Sequence, residues 1–158
     1  MRGKRLGIAA ALAAGTLAAT GLAFAPAAAA VVPQTATINA TCSIGGSGAA
    51  TLTATQNGTA ATITLSSTEI TAPISVAEDS VSSTLTMVKT GGGTTVFSGT
   101  KNPAIPAGGG VTVGPLDGTV ASGDSLEAFG GSLEMVVFGI TITCTAGAPQ
   151  SPGPFVFD

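Results

Sequence analysis

The two cysteines, Cys42 and Cys144, are the most reactive side chains in this 158-residue sequence. A thiol that acts as a nucleophile or zinc ligand needs partners, most often histidine, and the chain contains no histidine. Each cysteine falls on the apolar phase of an alternating segment, "ATINATCSI" for Cys42 and "GITITCT" for Cys144. In a β-strand this phase turns both thiols towards a core. We therefore predict a structural disulfide between Cys42 and Cys144.

A serine and a lysine form the second candidate for covalent chemistry. The run from Ser98 to Lys101 matches Ser-x-x-Lys, but the serine enzymes that use this pattern place it on a helix. Here it lies at the end of a predicted strand. The lack of histidine also excludes a Ser-His-Asp triad. We therefore expect the protein not to be an enzyme, and a hydrolase using Ser, Lys and carboxylates is the weakest alternative.

Three carboxylates, Asp117, Asp124 and Glu127, lie close together in "LDGTVASGDSLE". Calcium prefers several oxygen ligands in a flexible loop, which makes the three residues weak calcium candidates. The segment lacks the D-x-[DN]-x-[DN]-G spacing of a calcium-binding loop. We favour acidic turns that keep the protein soluble, and we expect no metal and no cofactor.

The N-terminal segment predicts the compartment. Arg2, Lys4 and Arg5 precede an uncharged run from Leu6 to Phe24, and small residues follow up to Ala30. This order is typical of a Sec-type secretory signal peptide, here residues 1–30 with cleavage near Ala30. A retained membrane anchor is the alternative, since the run is long enough to span a bilayer. We expect a secreted, extracellular protein that leaves the membrane after cleavage.

Removing the signal peptide changes the charge balance. The remaining 128 residues (158 − 30) keep two lysines and all eight acidic residues, a net charge of −6 (2 − 8). Such a chain cannot neutralise phosphates, so we do not expect nucleic acid or an anionic membrane as a partner. The length is sufficient for one domain with a single core.

The predicted fold is all-β. Apolar and polar residues alternate with a period of two, and turn residues recur at intervals of about ten residues. This pattern predicts an antiparallel β-sandwich of about 7–8 strands over residues 31–146, immunoglobulin-like in general architecture, with a closed barrel as the alternative. Asn57-Gly58 predicts a hairpin turn that places Leu52 opposite Ile63. The run "GSLEMVVFGITITCT" is predicted as one strand whose second half buries Phe138. Its apolar phase changes midway, which predicts either a bulge near Val136-Val137 or burial on both faces.

Residues 147–158 form a Pro-rich C-terminal tail that we predict to be extended. Phe155 and Phe157 alternate within "FVFD" and would bury one apolar face. They either fold back as a final edge strand, which we favour, or add to the sheet of a partner.

The segments "ATCSI" and "GSLEMVVFGITITCT", with the Ala-rich leader, resemble small secreted actinobacterial β-sandwich proteins of uncharacterised function. The resemblance implies the architecture of about residues 36–145 and no particular activity. From the residues themselves we expect a secreted non-catalytic module of structural or interaction type, with a protein or cell-surface partner. The alternative is an extracellular carrier of a hydrophobic small molecule, held in a cleft lined by Phe97, Phe129 and Phe138.

Overall fold

The computed structural model describes residues 30–158, and this range contains nine β-strands and no helix. The predicted signal peptide and its membrane-anchor alternative therefore lie outside the described residues, apart from Ala30. In chain order the strands are β1 (Thr35–Cys42), β2 (Ser47–Asn57), β3 (Ala60–Thr71), β4 (Ser82–Lys89), β5 (Thr94–Gly99), β6 (Gly110–Thr119), β7 (Ser125–Val137), β8 (Ile140–Ala146) and β9 (Phe155–Val156). Between residues 30 and 158 no helix is long and apolar enough to cross a membrane.

The strands form one continuous antiparallel sheet. Its order is β4-β5-β6-β3-β2-β1-β8-β7-β9, and an additional β4–β7 pairing closes the first eight strands into a barrel. The predictions of an all-β antiparallel fold and one disulfide are confirmed. The sheet closes as in the barrel alternative rather than dividing cleanly into the two sheets of a sandwich.

Two of the strand pairings within the eight-stranded barrel are short. β5 and β6 pair only at Phe97–Gly118 and Ser98–Asp117, and β1 and β8 pair only from Ala40–Ala146 to Cys42–Cys144. We call these the β5–β6 seam and the β1–β8 seam. They divide the barrel into two four-stranded halves, β6-β3-β2-β1 and β8-β7-β4-β5. The predicted disulfide joins directly opposite residues across the β1–β8 seam, so it links the two halves covalently.

The β2–β3 hairpin forms with the predicted apolar face but with a different register. Asn57 pairs with Ala60, so the turn consists of Gly58 and Thr59, and Leu52 lies opposite Leu65 instead of Ile63. Gly58 supplies the positive φ, 62°, at the first position of the turn. The register therefore differs by two residues, and because side chains alternate with a period of two, the same residues still point inwards.

The segment predicted as one long strand is in fact the β7–β8 hairpin. Its two-residue turn is Phe138-Gly139, with φ values of 51° and 75°. The turn accounts for the change of apolar phase that the sequence suggested was a bulge. Phe138 was predicted to be buried, but it is 65% exposed because it occupies the turn itself.

The predicted C-terminal tail folds back onto the barrel. β9 pairs with the start of β7, and Val156 exchanges backbone hydrogen bonds with Val32. Phe155 and Phe157 are both fully buried in the core. The folding-back alternative is therefore what the structure shows.

Candidate functional site

The two ends of the barrel are built differently. Because neighbouring strands are antiparallel, the β1–β2, β3–β4, β5–β6 and β7–β8 connections all lie at one end, which we call the open end. The other connections lie at the opposite end together with β9 and the buried Val31, Phe155 and Phe157. We call this the closed end, because the chain's own side chains fill it.

The open end contains a cavity of about 130 Å³, which we call the mouth cavity. One wall is the end of β3 and the segment that follows it, from Ile70 to Val76, and the facing wall is the β7–β8 hairpin, including Met135 and Ile142. Among its lining residues only Thr71 has a polar side chain. The cavity is therefore suited to an apolar group and offers almost no hydrogen-bonding capacity.

Large apolar side chains surround the mouth cavity and are open to solvent. Ile44, Ile74, Phe138 and Ile140 line it while each is at least 40% exposed; together we call them the rim. Single exposed apolar residues are common on protein surfaces, whereas a contiguous group beside an apolar cavity is typical of a binding site.

Phe138 has a strained backbone. A two-residue hairpin turn with positive φ at both positions strongly favours Asn-Gly, and a bulky residue with φ near 51° is an outlier. Burial does not offset this strain, since the ring is 65% exposed at the rim. Strained residues cluster at sites of function, and the position of Phe138 agrees with such a role.

Asp124, one of the three calcium candidates, forms an ion pair with Lys89. Both of its carboxylate oxygens lie 3.0 Å from Lys89 Nζ, and Oδ2 also accepts a hydrogen bond from the backbone N–H of Ala121. The pKa of Asp124 is lowered, first by the Ala121 hydrogen bond and then by Lys89. The backbone N–H of Gly123 donates a hydrogen bond to the carbonyl oxygen of Phe157, and the N–H of Phe157 donates to that of Asp124. This turn therefore fixes Phe157 at the closed end.

The other two calcium candidates lie elsewhere. Glu127 Oε1 accepts hydrogen bonds from the backbone N–H groups of Gln150 and Phe129, at 2.8 and 3.2 Å. Asp117 is exposed on β6, opposite Thr62 and Ser98. Residues 30–158 contain no group of three or more His, Cys, Asp or Glu that could hold a metal ion. The structure therefore does not bring the three carboxylates together.

The residues of the predicted aromatic cleft and of the predicted serine–lysine pair have different surroundings in the structure. Phe97 is fully buried and Phe129 lies on β7 away from the mouth cavity, so only Phe138 of the three lines it. Ser98 is on the exposed face of β5, whereas Lys101 Nζ lies 3.5 Å from a carboxylate oxygen of Asp79.

Both cysteines are consumed by the disulfide, and the described part of the chain has no free thiol. The aliphatic rim residues Ile44, Ile74 and Ile140 were missed by sequence reasoning. Two signals could have found two of them: Pro73 interrupts a strand just before Ile74, and the Phe138-Gly139 pair before Ile140 has a spacing suited to a hairpin turn.

The mouth cavity and its rim are the features of the described residues whose chemistry suits a ligand. Comparison with known proteins found no matching family model, no matching curated protein and no matching solved structure.

Proposed function

We propose that the protein is a secreted, non-catalytic carrier that holds the apolar part of a small hydrophobic molecule in the mouth cavity. The observation that carries the proposal is the contrast between the two ends of the barrel. One end is filled by Phe155 and Phe157, whereas the other has an apolar cavity with an exposed apolar rim. A protein without a ligand for this end would gain stability by filling it, because empty core volume costs free energy.

The size of the mouth cavity limits what it can hold. Its volume of about 130 Å³ is close to that of an engineered apolar cavity of about 150 Å³ that binds benzene. One ring or one section of a hydrocarbon chain therefore fits inside, and the remainder of the ligand would lie over the rim. The favourable free energy would come from apolar area removed from water, since the walls offer few hydrogen bonds.

Other features support the remaining parts of the proposal. The disulfide indicates an oxidising compartment, in agreement with the predicted signal peptide. The absence of histidine from the sequence and the pairing of Lys101 with Asp79 support a non-catalytic role. The two short seams support a flattened barrel that is sandwich-like in its packing.

Fluorescence of N-phenyl-1-naphthylamine, an uncharged probe that brightens in apolar sites, tests the proposal. The chain has no Trp or Tyr to interfere with it. We expect saturable binding at one site per chain. Phe138→Asn removes the rim aromatic and supplies the residue that the turn prefers, and Val111→Phe fills the mouth cavity. Each variant should weaken binding by about tenfold or more.

Val96→Asn is the matched control, because Val96 is also an exposed apolar residue but lies on β5 outside the mouth cavity. It should bind the probe as the unmodified protein does. Absence of saturable binding, or an equal loss in Val96→Asn, would overturn the proposed carrier function.

A further inference from the structure

Two smaller cavities lie behind the mouth cavity. The middle cavity has a volume of about 30 Å³ and the inner cavity about 20 Å³. The mouth and middle cavities share four lining residues, Ile70, Val111, Val113 and Met135. The middle and inner cavities share another four, Ala40, Leu65, Leu133 and Cys144. Each cavity therefore lies next to the following one, and the shared residues line both.

The three cavities follow the barrel axis. Along β7, the mouth cavity contacts Val137 and Met135, the middle cavity Met135 and Leu133, and the inner cavity Leu133. Inward-facing residues on a strand are two positions apart, so the row from Val137 to Leu133 spans about 13 Å. On β8 the same order appears as Ile142, Cys144 and then Ala146. The row therefore runs inwards from the open end, past the disulfide.

Small side chains leave this space open. Ala40 and Ala50 point inwards at the middle cavity, where larger aliphatic residues would fill an eight-stranded barrel. Voids forfeit packing contacts, so natural interiors contain few of them. A row of voids aligned with an open apolar mouth is consistent with a binding channel that is closed between its sections.

Met135 lies between the first two sections. It lines both the mouth and the middle cavity and is 5% exposed. Methionine is unbranched and has three rotatable bonds, so it can change rotamer and still pack against neighbouring apolar groups. Because its side chain lines both cavities, a change of its rotamer alters the space available in each of them.

We propose that the ligand is an unbranched hydrocarbon chain with a polar head. The chain enters the mouth end-on, displaces Met135 and extends towards the Cys42–Cys144 disulfide, while the head stays outside at the rim. The volumes behind the mouth favour a chain over a ring, because about 30 and 20 Å³ are too small for a ring. This inference rests on the proposed carrier function, since the chain uses the same mouth.

A chain-length series provides the test. The protein is loaded with N-phenyl-1-naphthylamine, and displacement of the probe is followed by its loss of fluorescence. The competitors are hexanol, octanol, decanol and dodecanol, each below its solubility limit, with toluene and naphthalene as compact competitors. Uncharged alcohols avoid repulsion by the acidic protein. We expect affinity to rise by up to about fourfold per methylene group and then to level off when the chain fills the row. The compact rings should gain nothing from the deeper cavities.

Two variants separate this channel from simple partitioning of longer chains. Ala50→Val places methyl groups in the middle cavity and should move the plateau to a shorter alcohol while leaving toluene unaffected. Met135→Ala removes the side chain between the sections and should increase the affinity of decanol more than that of hexanol. Circular dichroism checks that each variant is folded. If one variant does not fold, the other is sufficient to test the proposal.

The outcomes are distinguishable. Equal affinities for rings and chains, with no effect of Ala50→Val or Met135→Ala, would overturn the hydrocarbon-chain proposal and leave the carrier function intact. The proposal would also be overturned if affinity rose with chain length without levelling off and was the same in both variants as in the unmodified protein. Failure of every probe to bind would overturn the carrier function itself.

Discussion

The side-chain amide of Gln56 holds the main chain of Asp158 through two hydrogen bonds. Gln56 Nε2 donates to the Asp158 carbonyl oxygen at 2.6 Å, and the Asp158 N–H donates to Gln56 Oε1 at 3.0 Å. The amide thus acts as a short section of strand that attaches the C-terminal segment to β2. The adjacent Phe157 is fully buried, so this attachment keeps an aromatic ring in the closed end.

Replacing the ring of Phe157 should show how much packing at the closed end contributes to the stability of the protein. We expect Phe157→Ala to lower the free energy of unfolding by about 3–5 kcal/mol, because it leaves a cavity where a fully buried ring packed. Urea unfolding followed by circular dichroism measures the change. Val156→Ala is the control, since Val156 is 43% exposed, and it should cost less than about 1 kcal/mol. Equal losses of stability in the two variants would mean that the Phe157 ring does not fill the closed end.

Phe138→Asn should make the protein more stable even though it weakens ligand binding. Asparagine tolerates positive φ and is preferred at this turn position, so relief of strain should add about 1 kcal/mol to the free energy of unfolding. The same urea titration measures it. Phe129→Asn, on β7 and also partly exposed, should bring no gain because its φ is not positive. A loss of stability in Phe138→Asn would contradict the strain argument.

Removing the disulfide should loosen the β1–β8 seam first. The bridge closes a loop with a sequence separation of 102 residues, and its loss should cost at most about 4.7 kcal/mol in the chain-entropy model. The Cys42→Ala, Cys144→Ala double variant avoids leaving a single thiol. Hydrogen exchange should show faster opening of β8 than of β3, because β1 and β8 share only three residue pairs. Uniform acceleration across the barrel would contradict a local role.

The Asp124–Lys89 pair should make the free energy of unfolding depend on pH in the acidic range. Because the pKa of Asp124 is lowered in the folded protein, its stabilisation is complete above the unfolded pKa of about 3.9. It is then lost as pH falls through the lowered folded value. Asp124→Asn should therefore be less stable by about 1–3 kcal/mol at pH 7, and the difference should shrink only below about pH 3.9.

Thermal unfolding at several pH values measures that difference. The matched control is Asp117→Asn, at an exposed carboxylate on β6. It should leave the stability profile nearly unchanged. A gap between Asp124→Asn and the unmodified protein that stayed constant to the lowest pH would contradict the assignment to the carboxylate.

Calcium should not stabilise the protein. Asp124 is engaged with Lys89, and Glu127 already accepts two backbone hydrogen bonds, so neither is arranged for a shared cation. We expect the same midpoint of thermal unfolding with millimolar calcium chloride and with EDTA. A midpoint that rises with calcium concentration would show binding to the folded state and contradict this reading.

Alternation along single strands was enough to predict several features correctly. It placed Cys42 and Cys144 in the interior, and the even number of cysteines then paired them. It also identified the inward face of the β2–β3 hairpin although the register was wrong by two residues. The reason is that the period of two is a local property, which a shift of two positions leaves unchanged.

The same reasoning failed where the chain turns within an apolar run. Residues 131–145 read as one strand because Phe138 is apolar and no Asn or Asp marks the turn. Only the pairing of Val137 with Ile140 in the folded protein shows the reversal. Phe138 was consequently predicted to be buried, whereas it belongs to the rim.

The sequence by itself thus determined the all-β class, the inward-facing side chains of β1 and of the β2–β3 hairpin, and the disulfide, because each follows from local periodicity or composition. Only the tertiary structure decided that β4 pairs with β7 to close a barrel, that one end is filled by Phe155 and Phe157, and that the other holds a row of cavities. Closure depends on pairings between strands far apart in the chain. A cavity is space left by side chains from many strands at once, so no single stretch of sequence contains it.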